Sequence, residues 1–190
     1  MIERLRPKYT DEELKEIYSI PHSHHHWLDH KVRVRTTVAL ASVFLDQEIN
    51  SIADLSCGDA YIPQRIADMY SNPLDEFSLH LGDFAPGYQY TGPIEETIKL
   101  IPEVDLYVCS ETAEHADNPW EMLYQIRERS KRLIVSTPLD ERINNPEHYY
   151  RWDKEGFLSV LSETGWKPKA YQELTFNYLN DYGYQMWACE

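Results

Sequence analysis

The sequence predicts an α/β protein with a mostly parallel sheet that ends in an antiparallel hairpin. Three observations predict it. From Ile52 onward, short apolar runs alternate with amphipathic helical segments, the pattern of a parallel sheet covered by helices. The last two strand-like segments, residues 167–176 and 184–189, are separated only by a polar turn, so they must pair antiparallel. The stretch Ile52-Ala53-Asp54-Leu55-Ser56-Cys57-Gly58-Asp59-Ala60 reads as strand, acid, small-residue turn and helix start. Such a junction presents backbone N–H groups to a ligand.

The elements follow in order. Residues 10–19 read as a short helix: Thr10 caps it, Glu13 answers the cap three residues on, and Leu14, Ile17 and Tyr18 share a face. Pro21 ends it. A second helix is predicted over residues 27–45, through Val34, Val38, Leu40, Ala41 and Leu45. Strands are predicted at 52–55, 77–81, a short 88–90, 104–109 and 132–136, the last halted by Pro138. A helix covers 62–70. Another opens at Asn118-Pro119-Trp120-Glu121, with asparagine as cap, proline in the first turn and glutamate three after the cap. Asp153 caps a third, with Phe157, Leu158 and Leu161 turned inward and Gly165 suited to its left-handed exit. With the terminal pair, the count is seven strands. The 190 residues suit a single domain, with residues 1–50 as an N-terminal helical lid.

Composition narrows the class of partner. There are 32 acidic against 18 basic residues, a formal charge of −14, and no Lys/Arg-rich block. A phosphate backbone is bound through cations that displace counterions, so nucleic acid is disfavoured. The longest apolar run, from Val38 to Leu45 with Ser42 inside it, is far too short for a bilayer. Residues 1–7 have no apolar signal-type stretch, and Cys57, Cys109 and Cys189 form no CxxC pair. Free thiols in a reducing cytoplasm are the simple expectation.

The segment from Asp54 to Ala60 resembles the first motif of class I S-adenosylmethionine-dependent methyltransferases, acid-x-G-x-G-x-G, with Ser56, Gly58 and Ala60 in the glycine slots. The resemblance continues in order through residues 52–190 and implies a Rossmann-like sheet with S-adenosyl-L-methionine as cofactor. It makes Asp54, Ser56, Cys57, Gly58 and Asp59 the loop that holds the cofactor. Asp83, in Leu81-Gly82-Asp83-Phe84, takes the place of the acid that holds the ribose hydroxyls, and Phe84 would lie along the adenine. A carboxylate suits a diol because it accepts two hydrogen bonds. The family's third motif reads Gly92-Pro93-Ile94-Glu95 here: proline replaces the usual acid, and Glu95 is the compensating candidate. Between Asp83 and Tyr90 there is no room for the helix normally found there, so the fold is expected to be trimmed of one helix.

The strongest supporting match is Val104-Asp105-Leu106-Tyr107-Val108-Cys109-Ser110-Glu111-Thr112-Ala113-Glu114-His115, followed by Asn118-Pro119. It resembles the family's buried strand that delivers residues, here Ser110 and Glu111, to the methyl-donor end. His115 and His148 are the candidate general bases, since imidazole accepts a proton at neutral pH. Arg33, on a helical face with Trp27 and His30, is a candidate partner for the cofactor's carboxylate. The run Pro21-His22-Ser23-His24-His25-His26-Trp27-Leu28-Asp29-His30 places His26 and His30 one helical turn apart, with His22 and Asp29 nearby. It is read as part of the lid, and no metal site is assigned.

The resemblance implies methyl transfer. The acceptor is expected to be a small molecule, such as one offering a sugar or metabolite hydroxyl. The Asn/Asp-Pro-Pro-Tyr signature of amino-directed DNA methyltransferases is missing, and no cysteine follows a proline. A non-catalytic S-adenosylmethionine-binding protein is the alternative, motivated by Ser56, Ala60 and Pro93 at motif positions.

Overall fold

The computed structural model describes residues 1–20, 28–72, 74, 76–141, 145–176 and 182–190. In chain order the elements are β1 (Ile2–Arg4), α1 (Asp11–Ile17), α2 (Leu28–Leu40), β2 (Ser51–Asp54), α3 (Tyr61–Tyr70), β3 (Ser78–Asp83), β4 (Tyr90–Thr91), α4 (Ile94–Thr97), β5 (Leu106–Ser110), α5 (Pro119–Arg129), β6 (Leu133–Leu139), β7 (Tyr150–Trp152), α6 (Lys154–Glu163), β8 (Pro168–Phe176) and β9 (Tyr182–Cys189). Seven strands form one sheet in the order β4-β3-β2-β5-β6-β9-β8. β2 to β6 pair in parallel, and β9 runs antiparallel to both β6 and β8. The predicted α/β class, the strand count and the closing hairpin are all present.

Strand alternation builds a core on each face of the sheet. Tyr107 and Cys109 of β5 point to one side, where they meet Met122, Leu123 and Ile126 of α5 and Phe157, Val160 and Leu161 of α6. Leu106 and Val108 point to the other, where Val34 and Leu40 of α2 and Ile62 and Ile66 of α3 pack. β5 is buried along its whole length, as a central parallel strand must be. α2, within the residues expected to form a lid, is therefore a layer of the core.

Several boundaries differ from expectation for identifiable reasons. The second helix gives way at Leu40 to a tight 3-10 turn, Ala41–Phe44, that drives Phe44 into the core. β3 runs on to Asp83, so that acid terminates the strand itself. The predicted strand at 88–90 is the two-residue β4, and no helix separates it from β3. Val104 makes only an isolated bridge to Ser130, and the strand proper begins at Leu106. β6 passes through Pro138 to Leu139. Ser136 is the last residue paired with β5, and Pro138 points to that same side beyond the end of β5, where its missing N–H costs no ladder bond. β1 and β7 form a separate antiparallel ribbon that ties the N-terminus to the segment after β6. Gly156 of α6 packs against this ribbon so closely that a Cβ would lie 2.1 Å from the Met1 carbonyl oxygen. No described helix is long and apolar enough to cross a membrane.

Candidate active site

The carboxyl ends of the parallel strands form one edge of the molecule, where open α/β sheets bind their ligands. Two neighbouring parts can be distinguished there.

The first is built at the ends of β2 and β3. Asp54 closes β2, is 2% exposed, and accepts from the Ser56 N–H at 3.0 Å. Burial raises its pKa to about 7; the Ser56 hydrogen bonds oppose this, and the nearby Asp83 charge adds to it. The loop then turns back: the Cys57 N–H donates to the Gly82 carbonyl at 3.0 Å, and the Gly58 N–H donates to Asp83 Oδ2 at 2.8 Å. Asp83 Oδ1 accepts from the Ala85 N–H at 2.9 Å. Gly82 is required here, because a Cβ would meet the Tyr90 carbonyl oxygen at 2.8 Å and the Leu55 side chain at 2.9 Å. Gly58 and Ala60 both have positive φ, 56° and 59°. Ala60 thus holds a left-handed conformation that glycine adopts without steric cost.

Ser56, in the first glycine slot, gives the position a new task. Its hydroxyl accepts from Thr112 Oγ1 at 2.7 Å and so links this loop to the segment after β5. Cys57 is buried, and burial also pushes its thiol well up, leaving it protonated and inert at neutral pH. Asp59 Oδ1 accepts from the Tyr61 N–H at 3.2 Å at the start of α3. Phe84 is half-buried against Tyr18, with ring centroids 5.7 Å apart. Glu95 lies half-buried on the first turn of the short α4.

The second part is built at the ends of β5 and β6. Ser110 closes β5, and Glu111 follows with φ of 54°, a strained value for a residue with a side chain. Its N–H donates to the Ser136 carbonyl, and its Oε1 accepts from Ser136 Oγ at 2.9 Å. Arg33 enters from α2 and is fully buried, which rules out a solvated helix face. It donates to Ser110 Oγ at 2.6 Å and lies over the Tyr184 ring. Burial raises the Glu111 pKa, and the Arg33 charge opposes that rise. Glu114 is 1% exposed and accepts from Thr137 Oγ1 at 2.9 Å, and Thr137 Oγ1 in turn accepts from the Trp152 indole N–H. Burial raises its pKa to about 8, and the Glu111 charge adds to the rise.

The two candidate histidines come together at this edge, with ring centroids 4.7 Å apart and planes at 90°. His148 is buried and its Nδ1 is 2.6 Å from Glu141 Oε2. Burial works against its charged form, but the Glu141 hydrogen bond and the surrounding carboxylates outweigh burial and raise its pKa. His115 is half-buried, with its Nδ1 3.0 Å from the Tyr18 hydroxyl and 3.2 Å from the Glu147 carbonyl oxygen. Tyr18 therefore spans the edge from Phe84 to His115. Sequence reasoning had no role for Glu141, Tyr18 or Thr137 and no task for Glu114 beyond its motif. An acid two residues past the end of β6, Glu141, was the available signal.

From the histidine-rich run, His22, His26 and Trp27 lie outside the described residues. His30 packs edge-on against Tyr184, whose hydroxyl donates to Asp29 Oδ2 at 3.1 Å. A cavity of about 250 Å³ beside His148 is lined also by Leu5, Arg6, Pro7, Asn145 and Pro146. A larger cleft of about 520 Å³, around Asp105 and Arg132, lies at the opposite end of the strands, away from these groups.

No protein-family model and no curated protein matches the sequence. Solved structures do match in fold. The [4+2]-cyclase SpnF superposes with a TM-score of 0.71 at 11% identity, covering 98% of each chain. The 1,6-didemethyltoxoflavin-N1-methyltransferase of Burkholderia thailandensis, solved with S-adenosylhomocysteine, gives 0.68 at 13% identity over 100% of this chain and 94% of that one. The magnesium protoporphyrin IX methyltransferase ChlM of Synechocystis PCC 6803 gives 0.62 at 12% identity over 94% and 93%. The chain thus has the class I methyltransferase fold, with the helix between β3 and β4 missing.

Proposed function

We propose that this chain binds S-adenosyl-L-methionine and transfers its methyl group to a small-molecule acceptor. The observation that carries this reading is Asp83 at the end of β3, bonded to the Gly58 N–H across the loop that follows β2. It brings a diol-binding carboxylate and a turn of small residues together at the ligand-binding edge of this fold. The donor set fits the cofactor: the buried acid Asp54 gains when a cation or hydrogen-bond donor arrives, and Asp83 suits two ribose hydroxyls. Ser56, Gly58 and Asp59 form the loop wall, Phe84 flanks the adenine, and Glu95 takes the place of the missing third-motif acid. Solved neighbours with S-adenosylhomocysteine or S-adenosylmethionine bound lend support through the shared fold.

When bound, the cofactor supplies an electrophilic methyl group on a cationic sulfur. The chain's own work is to orient the acceptor and exclude water, which is where most of the rate gain of such a displacement arises. Ser110, Glu111, Glu114, His115 and His148 form the wall that the acceptor meets. For a hydroxyl acceptor, the proton leaves toward this wall, where Glu141 orients His148. Arg33 contributes a buried positive charge beside Glu111 and is the candidate for the cofactor's carboxylate. The acidic surface favours a small acceptor over nucleic acid, and three buried free thiols suit a reducing cytoplasm.

SpnF, a cyclase of the same fold, favours keeping one other reading in play, that of a cofactor-binding protein without methyl transfer. Incubation with methyl-labelled S-adenosylmethionine and fractionated small-molecule extracts separates the two. Label appearing in one fraction is the expected result. Cofactor binding with no label transferred to any fraction would favour the non-transferring protein.

A further inference from the structure

We infer that Glu114, His115 and His148 form a binding site for a divalent transition-metal ion. One potential ligand atom from each lies within 4.8 Å of the others, with Glu114 and His148 buried and His115 half-buried. Bonds near 2.1 Å put neighbouring ligands roughly 3–3.4 Å apart, so side-chain rotations of about an ångström close the site.

Two independent features point to a cation there. Glu114 Oε2 is satisfied by Thr137, but the buried Oε1 has no hydrogen-bond partner and stands 3.9 Å from His115 Nε2. A buried carboxylate oxygen in that condition carries a desolvation cost that a cation would offset. The second feature is the orientation of both imidazoles. His148 Nδ1 is bonded to Glu141, and His115 Nδ1 faces the Glu147 carbonyl and the Tyr18 hydroxyl. Carboxylate and carbonyl acceptors at Nδ1 hold the proton there, the support that metal-bound histidines usually have, and a metal would be taken through Nε2. Asn145 Nδ2 lies 3.1 Å from His148 Nε2, donating to its lone pair, and would yield its place to the ion. Two imidazoles and one carboxylate favour Zn²⁺, Co²⁺ or Fe²⁺ over Mg²⁺ or Ca²⁺.

The site stands on its own geometry and does not depend on methyl transfer. Where both hold, the ion would meet the acceptor oxygen in place of an imidazole, lowering the pKa of a bound hydroxyl.

The test uses the full chain stripped with EDTA and titrated with Co²⁺ alone, followed by Zn²⁺ displacement, with no S-adenosylmethionine present. To remove imidazoles of the run, the same titration is made on a chain with His22, His24, His25 and His26 changed to Asn. We expect one equivalent of Co²⁺ with visible d–d absorption in both chains. In the run-free background, His115→Asn and Glu141→Gln should each weaken binding tenfold or more. Paramagnetic shifts of the His115 and His148 ring protons give a readout that needs no substitution at the site. Absence of Co²⁺ binding, loss of binding in the run-free chain, or unshifted His115 and His148 protons would each overturn the inference.

Discussion

The two halves of the ligand-binding edge are built by different means. At the ends of β2 and β3, backbone N–H groups and two strand-ending aspartates do the work: Ser56 N–H to Asp54, Gly58 N–H and Ala85 N–H to Asp83. At the ends of β5 and β6, side chains meet side chains: Arg33 with Ser110, Thr137 with Glu114, Glu141 with His148, Tyr18 with His115. The first half tolerates substitution wherever the backbone path survives, which is why Ser56 and Ala60 can stand in glycine positions. The second depends on every member, because a buried polar network with one partner removed leaves another group unsatisfied. A backbone-built half suits a ligand of fixed shape, and a side-chain-built half suits chemistry that moves a proton or holds an ion.

The largest expected effect in the first half is a pH dependence at Asp54. Asp54 titrates near pH 7 when folded and near 3.8 when unfolded, so the folded state holds the extra proton between these values. Stability is therefore lost as pH rises from about 4 to 7, and the deficit above pH 7 is roughly 4 kcal/mol. Asp54→Asn should be more stable than the wild type at pH 8, with the difference vanishing below about pH 4. Urea denaturation across that range measures it, and a wild type whose stability does not fall relative to the variant would break this part of the comparison.

Next comes the network itself. Thr137→Val removes at once the acceptor for the Trp152 indole and the donor to Glu114. A loss of about 2–4 kcal/mol is expected, readable as a lower urea midpoint with unchanged slope. A loss under about 0.5 kcal/mol would mean that the side chains of this half are not interdependent. Asp83→Asn keeps the shape of the first half but removes the charge facing the Gly58 N–H. S-adenosylmethionine affinity should fall about tenfold to a hundredfold, as for one or two charge-assisted hydrogen bonds, and equilibrium dialysis would show it. The smallest effect tests backbone tolerance: Ala60→Gly relieves a positive φ at the entry to α3. It should raise stability by less than about 1 kcal/mol, since relief of the left-handed strain is partly offset by chain entropy. A destabilised variant would show that the Ala60 methyl, buried here, matters more for packing than for strain.

This difference also explains what was legible in the sequence. Asp54 to Ala60 form one contiguous segment, and Asp83 ends the next strand, so a motif read along the chain captures the first half. The mostly parallel sheet, the strand count and the closing hairpin follow from alternation and from the absence of a helix between the last two strands, whereas the strand order does not. The second half joins residues far apart: Tyr18 and His115 are separated by 97 positions, and Thr137 and Glu114 by 23. No local pattern announces such pairs. The β1–β7 ribbon was likewise illegible, because Ile2–Arg4 is too short to show alternation and draws its stability from Tyr150–Trp152. Pro138 read as a strand end because proline lacks an N–H, and only its position beyond β5 makes it harmless.

The central claim is that the backbone-built half holds S-adenosylmethionine. Calorimetric titration of the folded wild-type chain with S-adenosylmethionine, repeated on Asp83→Ala, tests it most directly. One equivalent bound by the wild type, and at least tenfold weaker binding by the variant, is the predicted result. No binding by the folded wild type, or equal affinity in the two chains, would contradict it.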